Sequence, residues 1–212
     1  MSEKKEMRTM FKVYGDRRSG NCYKIQLLMS HLGIEHEWID VDILAGDTRR
    51  PQFLAKNRNG KIPLLELPSG EYLAESNAIL DYLAHGTAYL PNEPLAMARV
   101  LSWQFFEQYS HEPYIAVARF IAKYLGLPEE RRAEYEGKQA GGYKALDVME
   151  QTLAASPYLA GETLSVADVA LYAYTHVAHE GGFSLVDYPA VQAWLARVAA
   201  HPRHVPMGQE HS

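Results

Sequence analysis

The chain has 212 residues, 47% of them hydrophobic and 22% charged, with a formal net charge of −5. That balance belongs to a globular protein of one large or two small domains and excludes an extended disordered chain. It offers no concentrated basic face for nucleic acid, its single cysteine, Cys22, excludes an internal disulfide and a multi-cysteine metal site, and no apolar run approaches the roughly 18 residues needed to cross a bilayer.

Met1–Thr9 is polar and charged and lacks the apolar stretch of a signal peptide, so the expected compartment is the cytoplasm. Phe11–Gly15 then reads as a short buried strand. From Gly20 to Leu32 the apolar residues Ile25, Leu28, Met29 and Leu32 follow helical spacing, and Gly33 supplies a left-handed stop. Ile39, Val41 and Ile43 alternate with Asp40 and Asp42, which predicts a second strand, and a short helical piece follows at Gln52–Lys56. Lys61–Leu67 and Glu71–Ala74 flank a Pro68-Ser69-Gly70 turn as a hairpin, and Ser76 is placed to cap a helix carrying Ile79, Leu80 and Leu83.

That β-α-β-α-β-β-α order defines a domain over 10–85. A linker over 86–94 holds Gly86, Pro91, Asn92 and Pro94. Beyond it helical periodicity dominates 95–205, with helices expected at Leu95–Tyr109, Tyr114–Leu125, Arg131–Ala154, Val166–Ala178 and Ala190–Ala200 and a break at His111-Glu112-Pro113. The fold class is therefore α/β followed by all-α.

Three signals in the first domain bear on chemistry, each at a strand end. Arg18-Ser19-Gly20-Asn21 opens the first helix, where free N–H groups and partial positive charge suit an anion; Ser19 is equally an ordinary helix cap. Pro63 interrupts an apolar strand, which fits either an edge strand or a cis peptide after Ile62 that turns the backbone toward a ligand. Ala74-Glu75-Ser76-Asn77 opens the third helix, where Ser76 can cap the helix and meet a carboxylate while Glu75 pairs with an ammonium group.

Taken together, Asn57-Arg58-Asn59-Gly60-Lys61-Ile62-Pro63-Leu64-Leu65 followed by Leu73-Ala74-Glu75-Ser76-Asn77-Ala78-Ile79 and Tyr82-Leu83 resembles the glutathione-binding half of cytosolic glutathione transferases. Ser165-Val166-Ala167-Asp168 resembles the capping box of the same family, so the likeness spans nearly the whole chain; Arg58 stands where the family usually has proline. The resemblance implies a thioredoxin-like N-terminal domain, a helical-bundle C-terminal domain, glutathione as co-substrate, a hydrophobic electrophile as partner and a homodimer. It implies that the main chain of Ile62, ahead of a cis Pro63, holds the cysteinyl part of glutathione. Lys61 takes the glycyl carboxylate, with Thr48 or Arg49 in support, and Glu75 and Ser76 take the γ-glutamyl end. Ser19 donates to the sulfur, and Ser19-Gly20-Asn21 is similar to the Thr-Pro-Asn arrangement of some subfamilies, which makes Asn21 a second donor.

A thiol of pKa about 8.5 is mostly protonated at pH 7, and lowering that value by two units requires about 2.7 kcal/mol. A helix N-terminus supplies roughly 0.3–1 kcal/mol, up to about 2 when sheltered. One hydrogen bond to a charged acceptor adds about 1.5–3. The two together suffice, and Ser19 need not act as a base. Tyr14 and Cys22 are the rivals near the sulfur; Tyr14 is expected to pack or line the pocket, and Cys22 to be a small buried hydrophobe.

For the second substrate the aromatic residues of the helical domain matter. Trp103, Phe105, Phe106 and Phe120 fit a packed core, whereas Tyr109 and Tyr114, on either side of the expected break, join Tyr14 as pocket candidates. His176, His179 and Glu180 form a partial ligand set that nothing completes, and no metal is expected. Two functions compete: an enzyme that directs the glutathione thiolate at an electrophile, peroxide or disulfide, and a non-catalytic binding module on the same scaffold.

Overall fold

In a computed structural model, described over residues 10–208, the chain divides into two compact units. Of the described residues, one unit comprises 10–80 together with 205–208; the other is Asp81–His204. Met1–Thr9, read above as a polar extension, lies outside the described residues.

The first unit is built on a four-stranded sheet of order β2-β1-β3-β4. Its strands are β1 (Phe11–Gly15), β2 (His36–Asp40), β3 (Leu64–Glu66) and β4 (Tyr72–Ala74). β1 runs parallel to β2, which requires a crossover, and helix α1 (Gly20–Leu32) supplies it. β3 is antiparallel to both β1 and β4, as a hairpin demands. With α2 (Pro51–Leu54) and α3 (Ser76–Ala84) the order is β-α-β-α-β-β-α, the thioredoxin-like arrangement. Val13, Ile25, Leu28, Leu64, Leu65, Ile79 and Leu80 are fully buried at its centre.

Three details differ from the sequence reading. The second strand lies at His36–Asp40 rather than continuing through Val41 and Ile43, because Asp42 folds the chain into a turn, its carboxylate accepting from the N–H groups of Leu44 and Ala45 at 2.8 and 3.0 Å. Only Leu64–Glu66 of the Lys61–Leu67 run is strand, since Ile62–Pro63 is a cis peptide at its entrance. Ser76 is the first residue of α3 rather than its cap. The carbonyl of Glu75 accepts the first helical hydrogen bond, from Ile79 N at 2.9 Å.

Ten of the thirteen residues of α1 are buried, so the helix is enclosed on nearly all sides and its polar residues Lys24, Gln26 and His31 are buried with it. Gly33, at φ 69°, closes the helix with its N–H on the carbonyls of Met29 and Ser30.

The second unit is helical: α4 (Pro94–Phe106), α5 (Glu112–Arg119), α6 (Arg132–Leu153), α7 (Val166–Thr175) and α8 (Pro189–Ala199). The break expected at His111–Pro113 is instead a π turn over Glu107–His111 that joins α4 to α5, and a second π turn, Phe120–Tyr124, extends α5. Pro113 explains the widening. It has no N–H to offer the preceding turn and its ring crowds the carbonyl four residues back, so the ladder shifts to an i→i+5 bond from Glu112 N to Glu107 O. Every residue of α7 is buried, and Ile115, Ala118, Leu146, Tyr174, Ala178 and Phe183 form a core cluster beside it. Among the described residues no helix is long and apolar enough to cross a membrane.

Candidate functional site

Ser19 is the N-cap of α1. Its φ and ψ of −76° and 126° are extended, and its Oγ accepts from Cys22 N at 3.5 Å. Capping uses an acceptor lone pair of the hydroxyl and does not consume its proton, so a capping Ser19 can still be a hydrogen-bond donor. Asn21 follows in the first turn, half-buried.

Folding brings α3 to this place. Ser76 Oγ donates to Asn21 Oδ1 at 3.3 Å and accepts from Lys24 Nζ at 3.2 Å. The first turns of α1 and α3 therefore lie side by side, and both turn the positive end of the helix dipole toward one place, an environment for anions. Ser76 is buried and Lys24 is fully buried, whereas Glu75, just before, is exposed and carries a left-handed backbone with φ 71°. The Glu75 carboxylate accepts from Asn59 Nδ2 at 3.4 Å.

Asn57 organises the loop between them. Its Nδ2 donates to Lys61 O at 2.8 Å and its Oδ1 accepts from Asn59 N at 3.1 Å, which fixes the chain entering the cis Ile62–Pro63 bond. Lys61 is exposed. Gly60, at φ 60°, packs so closely that a Cβ there would stand 2.9 Å from Arg49 Nη1 and 3.0 Å from Thr48 O. Arg49 thus lies against Gly60, the residue before Lys61, and Thr48 is buried. Of the residues singled out in the sequence, the structure gathers Ser19, Asn21 and Ser76 at the paired helix starts. Glu75 and the Lys61–Pro63 loop are joined to them through Asn57 and Asn59.

The rivals near the sulfur are otherwise employed. Cys22 is fully buried, and burial pushes its thiol up to about 12, so it is a small core residue and not a nucleophile. Tyr14 is also buried. Its hydroxyl donates to Glu66 Oε2 at 2.5 Å and accepts from Lys56 Nζ, which also sits 4.2 Å above the ring. The Tyr14 hydrogen bond, with Lys12 and Lys56 nearby, holds the Glu66 carboxyl below its ordinary value despite partial burial. The phenol of Tyr14 is thus tied into an ion cluster on the sheet.

In the second unit Tyr109 is 76% exposed and Phe105 60%, so neither is core of its own unit, contrary to the packed role expected for Phe105. Tyr114 packs flat on α6, where a Cβ on Gly141 would collide with its ring at 2.2 Å. His176 stacks on Tyr172 with centroids 4.7 Å apart, and burial pushes its pKa down to about 4. Glu180 is held by Arg119 at 2.7 Å and Lys123 at 3.0 Å. Among the described residues no group of three or more His, Cys, Asp or Glu side chains is arranged to hold a metal ion.

Lys24 is the residue that sequence reasoning passed over. A signal existed: it stands one helical turn before Leu28, on the apolar stripe of α1, where a lysine has no ordinary place.

Comparison with known proteins gives the family. The family model for "Glutathione S-transferase, N-terminal domain" matches residues 9–85, and that for "Glutathione S-transferase, C-terminal domain" matches 102–202. Glutathione S-transferase 3 of Zea mays is 32% identical over 203 residues, 90% of either chain. Disulfide-bond oxidoreductase YfcG of Escherichia coli strain K12 is 30% identical over 189 residues, 86% of this chain and 87% of that protein. The crystal structure of a glutathione S-transferase from Pseudomonas fluorescens Pf-5 superposes with a TM-score of 0.93 at 65% identity, covering 94% of this chain and all of that one.

Proposed function

The chain belongs to the glutathione S-transferase family, and on that premise we propose that it binds glutathione in its first unit and ionises the thiol at the paired starts of α1 and α3, with Ser19 and Asn21 as donors to sulfur. It is a glutathione transferase enzyme. The observation that carries the site assignment is the Ser76–Asn21 hydrogen bond of 3.3 Å, which sets two helix N-termini at one place.

The roles follow from chemistry. Glutathione presents an ammonium and a carboxylate at its γ-glutamyl end, and Glu75 with the N–H of Ser76 at the head of α3 complements them. Lys61, with Arg49 against the neighbouring Gly60, meets the glycyl carboxylate. The main chain of Ile62, before cis Pro63, holds the cysteinyl residue and so points its sulfur at Ser19 and Asn21. The thiolate then attacks the electrophilic carbon of a small hydrophobic substrate, and a carbon–sulfur bond forms as the leaving group or the electron pair of the acceptor bond departs. We assign that substrate to the 95–205 domain, with Tyr109 ahead of Tyr114 and Tyr14, because Tyr109 is exposed while the other two are engaged in packing or hydrogen bonds. The glutathione-binding domain is assigned to 10–85 and the linker to 86–94, and the working form is taken to be a cytoplasmic homodimer.

A second chemistry, attack of the same thiolate on a disulfide or a peroxide, is favoured by Ser19-Gly20-Asn21 and by the likeness to a relative named a disulfide-bond oxidoreductase. Parallel assays with a halogenated aromatic electrophile and a mixed disulfide separate the two.

Calorimetry with glutathione tests the premise, and absence of saturable binding ends it. Titration of the bound thiol tests the mechanism. Ser19→Ala and Asn21→Ala are each expected to raise the thiol pKa by about one unit or more, since a hydrogen bond to a charged acceptor contributes roughly 1.5–3 kcal/mol. A thiol pKa unmoved in both variants would remove them as donors.

A further inference from the structure

We propose that Lys56 is a positioning residue for glutathione binding, clamping the loop of residues 57–63 to the sheet through Tyr14, Glu66 and Tyr72. The inference rests on the reading of Lys61 and Ile62 as the grip on the tripeptide, and extends it to the residue just before the loop.

The loop's own bonds give it a shape. Asn57 Nδ2 donates to Lys61 O at 2.8 Å, its Oδ1 accepts from Asn59 N at 3.1 Å, and Gly60 N donates to Asn57 O at 3.0 Å. Bonds inside a loop do not set its place against the strands. The helix before it, α2, is four residues long with no side-chain cap at its start, far below the length at which a helix holds by itself. Phe53 of α2 supplies an apolar tie, buried with Tyr14, Val41 and Leu64 in a cluster on which Ile62 also packs. Apolar burial has no direction, so that tie alone leaves the loop room to slide.

Lys56 supplies direction. Its Nζ donates to the Tyr14 hydroxyl and lies 3.6 Å from Glu66 Oε2. The same ammonium sits 4.2 Å from the centre of the Tyr14 ring and 5.1 Å from that of Tyr72. Those partners stand on β1, β3 and β4, so one side chain takes its bearing from three strands. An exposed ion pair alone is worth little, but an ammonium sheltered over two aromatic faces is held more firmly. Charge balance does not require it there. Lys12, on β1 itself, already meets the Glu66 carboxylate at 3.2 Å. The second lysine adds no neutrality that Glu66 lacks; it adds a connection from the sheet to the chain entering the loop.

The test compares Lys56→Met, Lys56→Arg and Lys12→Met in the full chain. Thermal melts report folding, and calorimetry reports affinity for glutathione and for γ-glutamylcysteine, which lacks the glycyl carboxylate assigned to Lys61. Lys56→Met is expected to weaken glutathione binding about tenfold, because binding must then order a loop that the clamp had fixed beforehand. γ-Glutamylcysteine should lose less, so the preference for the full tripeptide shrinks. Lys56→Arg keeps a cation over both rings and should recover most of the affinity. Lys12→Met removes a lysine from the same carboxylate without touching the loop, and should leave both affinities within about twofold of wild type. A folded Lys56→Met protein that binds glutathione like the wild type overturns the proposal. An equal loss in Lys12→Met also overturns it, since the effect would then come from the charge of the sheet and not from the loop. Should Lys56→Met fail to fold, Glu66→Gln decides in its place by the same preference between the two ligands. Unaltered affinities in these variants sink the clamp alone, whereas a wild-type chain without saturable glutathione binding sinks the proposed function and the clamp with it.

Discussion

Glu75 stands at φ 71°, a conformation that costs an ordinary L-residue roughly 1–2 kcal/mol and that glycine adopts freely. It is exposed, so no packing demands a glutamate there; its long side chain instead reaches Asn59 from the head of α3. Strain kept at such a place is consistent with a ligand contact. Glu75→Gly should therefore relieve the backbone, partly offset by the roughly 0.5–1 kcal/mol that glycine adds to unfolded-state entropy, and leave the fold as stable or slightly more so. Affinity for glutathione should fall at the same time, because the partner of its ammonium group is gone. Paired thermal melts with and without glutathione check both halves. A variant that lost stability and kept its affinity would show that Glu75 serves the fold and not the ligand. In the sequence Ser19, Asn21, Ile62, Pro63, Glu75 and Ser76 stood out as candidates only when their separate motifs were taken together. The left-handed backbone of Glu75 and the buried state of Lys24 were not legible, because both follow from partners 16 and 52 positions away.

At the level of elements, α7 shows what a short buried helix needs. All ten of its residues are buried, so its apolar packing is strong, but its orphan N–H groups have no water to meet them. The capping box answers this. Asp168 Oδ2 accepts from Ser165 N at 2.9 Å, and its Oδ1 accepts from Leu159 N at 2.9 Å and Trp194 Nε1 at 3.0 Å, so one carboxylate ties α7, the preceding loop and α8 together. Replacing it by alanine leaves those three donors and the Ser165 hydroxyl, which donates to Oδ2 at 3.0 Å, unmet, at about 1–3 kcal/mol each. Asp168→Ala should thus cost several kcal/mol and Ser165→Ala only about 1, the ordinary value of a cap. Urea unfolding of both measures the difference, and equal losses would mean that Asp168 acts only as a cap. The Ser165–Asp168 box was read through its likeness to the family's, and β1 and α1 were readable from the residues to their ends. β2 was placed too late because alternating Asp40 and Asp42 look alike in sequence, while one is in a strand and the other folds a turn. The π turn before Pro113 was read as a break because sequence marks the missing N–H but not how the ladder closes around it.

The molecule as a whole returns its C-terminal segment to the first unit, which no local pattern in the sequence announces. Residues 205–208 belong with the sheet and α1, and Tyr23, fully buried in α1, donates its hydroxyl to Val205 O at 2.7 Å. The bond spans 182 positions, so an element that looks complete by residue 85 depends on the far end of the chain. Removing residues 205–212 takes away that acceptor, and a buried hydroxyl deprived of it costs roughly 1–3 kcal/mol. The truncated protein should be destabilised by at least that much, and glutathione affinity should fall with it, since Tyr23 lies between Asn21 and Lys24 on α1. Tyr23→Phe isolates the cause: it removes the donor, so truncation in that background should cost less than in the wild type by the energy of the bond. If truncation costs the same in both backgrounds, the hydroxyl is not what anchors the segment, and its stabilisation must come from packing by Val205 and its neighbours alone.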